Sequence, residues 1–306
     1  MEHYQPDHVR DQQEPPQQIL ARHGKSFYWA SKFLGVALAD RAARLYQFCR
    51  YVDDLADGDL PDRQESLEDI RARLAGEAIS AGPEIEAFMV LANSTNIPLS
   101  AATELLDGML MDQHPTAVAD EAELLRYCHA VAGTVGLMMC RVLNCKEPRA
   151  DSFAIDLGIA MQLTNISRDV LEDAKMSRRY LPASWANFTP AQIAEAGVDC
   201  QQPVAEGIER LLDLAETYYA SALLGLRLLP FRSRFAIAIA LRVYRQIGWV
   251  LRRRKLAWWR GRVMVSAGEK VVLSLRSVAD LRPKNVPLHQ AHLHQHLQGL
   301  AGVQSR

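Results

Sequence analysis

Apolar residues recur at three- and four-residue steps along most of the chain, and the alternating runs that build half-buried strands are scarce. The spacing predicts helices over residues 25–34, 40–57, 64–79, 84–95, 98–112, 120–144, 150–174, 190–197, 203–228, 231–256 and 267–280. Proline and glycine fall mostly between these segments, where turns need them. No long linker and no internal repeat interrupts the pattern, so it describes one all-α domain over residues 19–281. Residues 1–18 are polar, contain Pro15-Pro16 and read as a disordered N-terminal tail. Residues 282–306 read as a polar tail with His289, His292, His294 and His296; a metal site is the sharper reading of these histidines, and a low-complexity segment that binds metal only adventitiously is the preferred one.

Composition narrows the function without naming it. A chain of 306 residues that is 49% hydrophobic can fill a sizeable core. Its net charge of −1 leaves no basic footprint for nucleic acid. No apolar run approaches the ~20 residues that span a bilayer, and the first residues lack the basic start and apolar core of a signal peptide. Cys49, Cys128, Cys140, Cys145 and Cys200 form no C-x-x-C pair and no zinc spacing. Reduced thiols in the cytoplasm are the expectation.

The chemistry lies in two stripes of acidic residues. In Leu45 to Asp57, Asp53 and Asp57 stand one helical turn apart with Asp54 beside them, and Tyr46 and Arg50 precede them on the same face. In Gln162 to Asp173, Asn165, Asp169 and Asp173 step by four, with Gln162 one turn earlier and Arg168 adjacent. Leu163, Ile166, Val170 and Leu171 fill the positions between them and suit packing. Like charges one turn apart repel, and burial adds a desolvation cost. Divalent cations resolve both, and oxygen ligands at this spacing suit Mg²⁺, or equally Mn²⁺, bridging to substrate phosphates. Arg50 and Arg168 then stand beside phosphate oxygens. The competing reading of each stripe is a solvated acidic surface.

With these motifs the chain resembles the squalene/phytoene synthase family, and bacterial phytoene synthases within it, over about residues 20–280. The resemblance is carried by His23 to Phe27, Leu45 to Asp57, Tyr127 to Gly136, Gln162 to Asp173, Arg179 to Pro182 and Val243 to Gly248. It implies an isoprenoid synthase-type helical bundle around a central cavity. It implies metal ligation by Asp53, Asp54, Asp57, Asn165, Asp169 and Asp173, and diphosphate contacts from Lys25, Ser26, Arg50, Arg168 and Arg262. Phe27, Tyr46, Tyr127, Gln162 and Tyr244 would line the cavity, and Gly133 and Gly136 would let a helix approach a prenyl chain or a neighbouring helix.

The implied reaction joins two geranylgeranyl diphosphates head to head. A cyclopropyl diphosphate forms first, then rearranges to phytoene for carotenoid biosynthesis. Either the departing diphosphate or Tyr46 takes the proton. A close alternative is a C30 enzyme that condenses farnesyl diphosphate to dehydrosqualene or presqualene diphosphate. From other classes, a terpene cyclase would share Asp53-Asp54-x-x-Asp57, and a non-catalytic scaffold would share the fold. A di-iron bundle is set aside because no Glu-x-x-His motif occurs. The run Leu251 to Arg262 joins a basic cluster to Trp258-Trp259. It fits a helix C-terminus with a packed loop, or a peripheral contact with the inner face of a membrane. Oligomeric state is left open.

Overall fold

Proline and side-chain caps fix where the helices start. Pro16, Pro83 and Pro190 occupy first turns, where a missing N–H costs nothing. Thr189 and Ser266 each close a capping box with the residue three positions on, and Asp120 accepts from Glu123 N at 3.0 Å. The computed structural model describes residues 14–57, 63–111, 116–281 and 285–303, with only the backbone of Asp57 and Arg63.

The helices run in the order α1 Pro16–His23, α2 Lys25–Ser31, α3 Val36–Asp57, α4 Arg63–Leu74, α5 Pro83–Thr95, α6 Leu99–Met111 and α7 Glu121–Cys128. A π-helical turn, His129–Gly133, leads into α8 Thr134–Val142. Then come α9 Ala150–Lys175, α10 Pro190–Glu195, α11 Val198–Gly225, α12 Phe231–Arg253 and α13 Ala267–Arg276. Among the described residues the one extended pairing is a bridge between Ala117 and Arg179. No helix among them is long and apolar enough to cross a membrane.

Several elements depart from the periodicity. A helix over Pro16–His23 occupies part of the stretch read as tail, with Ile19 and Leu20 buried; residues 1–13 lie outside the described ones. The run expected as one helix over 120–144 widens at His129–Gly133, where the buried His129 ring bonds Glu104 and the Ala301 carbonyl. α4 stops at Leu74 because Gly76 takes a φ of +98°. α11 begins at Val198 and carries Pro203 near its start, losing one intrahelical bond rather than the helix.

The segment read as a polar C-terminal tail also folds. Residues 285–303 lie along α7, α9 and α11: Tyr218 donates to the Leu293 carbonyl at 2.8 Å, Arg126 to that of His296 at 3.1 Å, and Leu297 is fully buried. Its apolar residues, Leu293, Leu297 and Leu300, are spaced for one face, though the intervening histidines and glutamines make it look solvated.

The long helices α9 and α11, with 26 and 28 residues, pack antiparallel at the centre. Thr164 meets Tyr219 at 3.0 Å near one end, and Gly225 faces Phe153 near the other. α8 crosses α9 so closely that backbones touch. A Cβ at Gly158 would lie 2.1 Å from the Ala132 oxygen, and one at Gly136 2.2 Å from that of Ala154.

This contact generates a test. Gly158→Ala should destabilise the fold by ~2 kcal/mol or more, because backbone rather than a flexible side chain must yield. Gly268→Ala, where a Cβ meets nothing within 4 Å, should be neutral or stabilising. Chemical denaturation of both variants reads the difference.

Candidate active site

The last three turns of α3 bring Tyr46, Cys49, Arg50, Asp53 and Asp54 together. Arg50 Nε donates to Asp54 Oδ2 at 3.0 Å and Nη1 to Asp53 Oδ2 at 3.2 Å, and a further ion pair joins Arg50 to Asp54. One guanidinium thus spans both carboxylates and relieves their repulsion. Asp57 closes α3, and its side chain lies outside the described residues.

On α9, Asp169 is the focus. Arg168 donates to it bidentately, Nε to Oδ1 at 2.7 Å and Nη2 to Oδ2 at 2.5 Å. Arg262, from the segment before α13, adds Nε to Oδ1 at 2.9 Å and Nη2 to Oδ2 at 3.2 Å. Four N–H groups therefore fill the four lone-pair sites of one carboxylate. Burial works to lower the Arg168 pKa, but the bond and charge of Asp169 outweigh it and hold it above the ordinary value. Asp173 follows one turn on and is half-buried.

Asn165, one turn before Asp169, differs. Its Nδ2 donates to Gln162 Oε1 at 3.2 Å, while its Oδ1 is buried with no hydrogen-bond partner. Glu172 Oε2, on the next turn after Asp169, is orphaned in the same way. Buried unsatisfied oxygens are rare and call for a reason. A hard divalent cation is one that fits, since every donor here is oxygen. Sequence spacing singles out Asn165; Glu172 falls off the four-residue step and was not singled out.

Both stripes open onto one end of a cavity of about 280 Å³. Tyr46, Cys49, Gln162, Asn165 and Tyr244 line that end with Phe27, whose ring centroid lies 5.0 Å from Tyr244 and 6.4 Å from Tyr46. The buried residues Cys140, Leu143, Ala150, Leu226 and Leu229 line the far end. Burial pushes the Tyr46 and Tyr244 phenols up, and it carries the Cys49 thiol up to about 12 with help from Asp53. These groups stay neutral, so the wall is uncharged right up to the carboxylates.

Along α9 the lining residues are Ala150, Phe153, Ala154, Leu157, Gly158, Met161, Gln162 and Asn165, a strict three-and-four step. The apolar members of that stripe read in the sequence as ordinary core. Gly136 lines the cavity as well as touching α9. Gly133 instead packs on the His129 ring and Ile155, and Tyr127 stacks on Tyr180 with centroids 4.7 Å apart; neither belongs to the lining. Lys25 and Ser26 begin α2, where the Lys25 charge reaches Lys270 of α13 and, after burial, helps lower its pKa.

The family model described as squalene/phytoene synthase matches residues 20–269. A phytoene synthase of Pseudescherichia vulneris is 37% identical over 273 residues, covering 84% of this chain and 87% of that protein. A 15-cis-phytoene synthase of Pantoea ananas is 34% identical over 296 residues, covering 91% and 96%. Among solved structures, a dehydrosqualene synthase in complex with ligand superposes with a TM-score of 0.76 at 26% identity, covering 90% of this chain and 98% of its own. A squalene synthase from Alicyclobacillus acidocaldarius has the same fold, with a TM-score of 0.68 at 23% identity over 82% and 97%.

The orphaned oxygen sets the expected behaviour of Asn165. Replacing Asn165 by Ala should weaken Mn²⁺ binding about tenfold or more, worth about 1.4 kcal/mol, without lowering thermal stability. Titration of free Mn²⁺ by electron paramagnetic resonance measures it. Unchanged affinity would remove Asn165 from the ligand set.

Proposed function

The chain belongs to the squalene/phytoene synthase family, and on that premise we propose that it joins two geranylgeranyl diphosphates head to head. The product is phytoene, formed through a cyclopropyl diphosphate with release of diphosphate. The observation that carries this reading is the pair of arginine-closed acidic stripes at one end of an apolar cavity.

Asp53, Asp54, Asp57, Asn165, Asp169 and Asp173 are the residues that would hold Mg²⁺ or Mn²⁺. When bound, the metal supplies Lewis acidity to the leaving diphosphate. Arg50, Arg168 and Arg262 turn from carboxylate to phosphate oxygens. Arg262, whose side chain is 55% exposed against 13% for Arg168, is the one free to swing. Lys25 and Ser26 add a cation and a hydroxyl at the start of α2. The rings of Phe27, Tyr46 and Tyr244 face the allylic cation, and the apolar wall keeps water from quenching it. Burial keeps the Tyr46 phenol protonated, which favours the released diphosphate as proton acceptor.

The α9 stripe from Asn165 to Ala150 covers sixteen residues, so the fifteen steps between its ends span ~22 Å at ~1.5 Å per step. That length accommodates an extended C20 chain with the diphosphate at the ionic end, and a C15 chain falls short of its floor. It supports the C40 product over the C30 alternative.

Two expectations follow for activity. Incubation with Mg²⁺ and geranylgeranyl diphosphate should give a C40 hydrocarbon by mass, lost at least a hundredfold in Asp169→Asn. A C30 product from farnesyl diphosphate alone would move the enzyme to the dehydrosqualene or presqualene branch, and no product from either would favour the scaffold reading. Separately, Ala150→Phe should fill the floor and favour the C15 donor over the C20 donor by at least tenfold in kcat/KM.

A peripheral membrane contact is also part of this reading. Trp258 is buried, and Arg252 and Arg253 are paired with Glu209, Asp213 and Glu269. The exposed apolar ridge is on and beside α13: Met264, Val271, Val272, Leu275 and Val278. Lys270, on the same helix, feels the charge of Lys25. Leu275→Asp with Val271→Asp should cut co-sedimentation with anionic liposomes several-fold; unchanged binding would remove α13 from the membrane face.

A further inference from the structure

On the side of α9 away from the cavity lining, a fully buried carboxylate, Asp156, meets two histidines of the C-terminal segment. His289 Nε2 lies 2.8 Å from Oδ2, and His294 Nε2 2.8 Å from Oδ1. All three ligand atoms fall within 4.8 Å of one another. Ser221 Oγ of α11 donates to Oδ2 at 2.5 Å. We propose that Asp156, His289 and His294 form a second metal site, for a transition-metal ion of the Zn²⁺ class, that fastens the C-terminal segment to α9.

Asp156 is fully buried on α9, and a carboxylate that ligates does so as its anion. Its hydrogen-bond partners are the two imidazoles and a hydroxyl. Burying a carboxylate with no full positive charge beside it is costly. A divalent ion between the two Nε2 atoms and the carboxylate removes that cost.

The donor set decides which ion. Two imidazole nitrogens and one carboxylate oxygen match four-coordinate Zn²⁺ with a water as fourth ligand. The acidic stripes offer only oxygen, which suits Mg²⁺, so the two sites select different metals. Supporting contacts orient the ligands. Ser221 fixes the carboxylate, and the Phe153 ring stands edge-on to His289 with centroids 5.3 Å apart at 81°. The His289 and His294 rings themselves lie 4.4 Å apart. The spacing His-x4-His on an irregular segment brings both nitrogens to one point, which a single regular helix turn would not require. The histidines are thereby distinguished from His292 and His296, which are not in the cluster.

The test uses the full chain stripped of metal and titrated with Co²⁺. One equivalent should develop the intense visible absorption of a four-coordinate nitrogen–oxygen site, and Zn²⁺ should displace it. His289→Gln and His294→Gln, which keep a donor toward Asp156, should each weaken binding at least tenfold and lose the band. Asp169→Asn should leave the band intact. Thermal melts without metal establish that the Gln variants are folded; should either fail to fold, Ser221→Ala, which should shift the band while keeping both rings, takes its place. A missing band, one that survives both histidine substitutions, or one lost in Asp169→Asn would overturn the site.

Discussion

Negative charge has to be held at the edge of a hydrocarbon cavity, and the rest of the molecule is arranged around that constraint. Carboxylates one helical turn apart, about 6 Å, repel by about 3 kcal/mol at an effective dielectric of 20, more than an exposed ion pair returns. Arg50 answers this on α3, and Arg168 and Arg262 answer it on α9. Neutral Tyr46, Cys49 and Tyr244 come next, so the charge ends abruptly where the apolar wall begins. The buried Asn165 oxygen has no hydrogen-bond partner.

α9 carries more of this arrangement than any other element. Its C-terminal half holds the ionic residues, one stripe lines the cavity, and Asp156 faces the C-terminal segment. Gly158 against Ala132 of the π-turn, and Gly136 of α8 against Ala154, bring backbones into contact, which fixes the helix against sliding. Displacement of any one of these contacts therefore reaches the others through a stiff rod, because a packed backbone contact has no slack to absorb it.

Much of this was legible in the sequence, for reasons that are physical. Helical periodicity is local, so the all-α class and the positions of α3, α9 and α12 follow from spacing alone. Acidic residues at four-residue steps among apolar neighbours signal a site because ordinary packing would not tolerate them. What escaped was nonlocal. The cavity stripe of α9 looks like core, since a wall and a core need the same residue types. The π-turn depends on His129 reaching Glu104 and Ala301, which are distant in sequence. The C-terminal segment looks polar because its histidines and glutamines outnumber its leucines, yet Leu293 and Leu297 are buried against the bundle.

The apolar depth of the cavity bears on release. Cys140, Leu143, Ala150, Leu226 and Leu229 at its far end are all buried, remote from the ionic residues. A hydrocarbon without its charged heads is retained by ~25 cal/mol for each Å² of surface it hides from water, and the aqueous phase offers nothing in exchange. Only another oil can compete for it. Departure is then a partition between two immiscible-with-water phases, and the composition of the receiving phase, rather than any bond made in the cavity, would set the pace of the cycle.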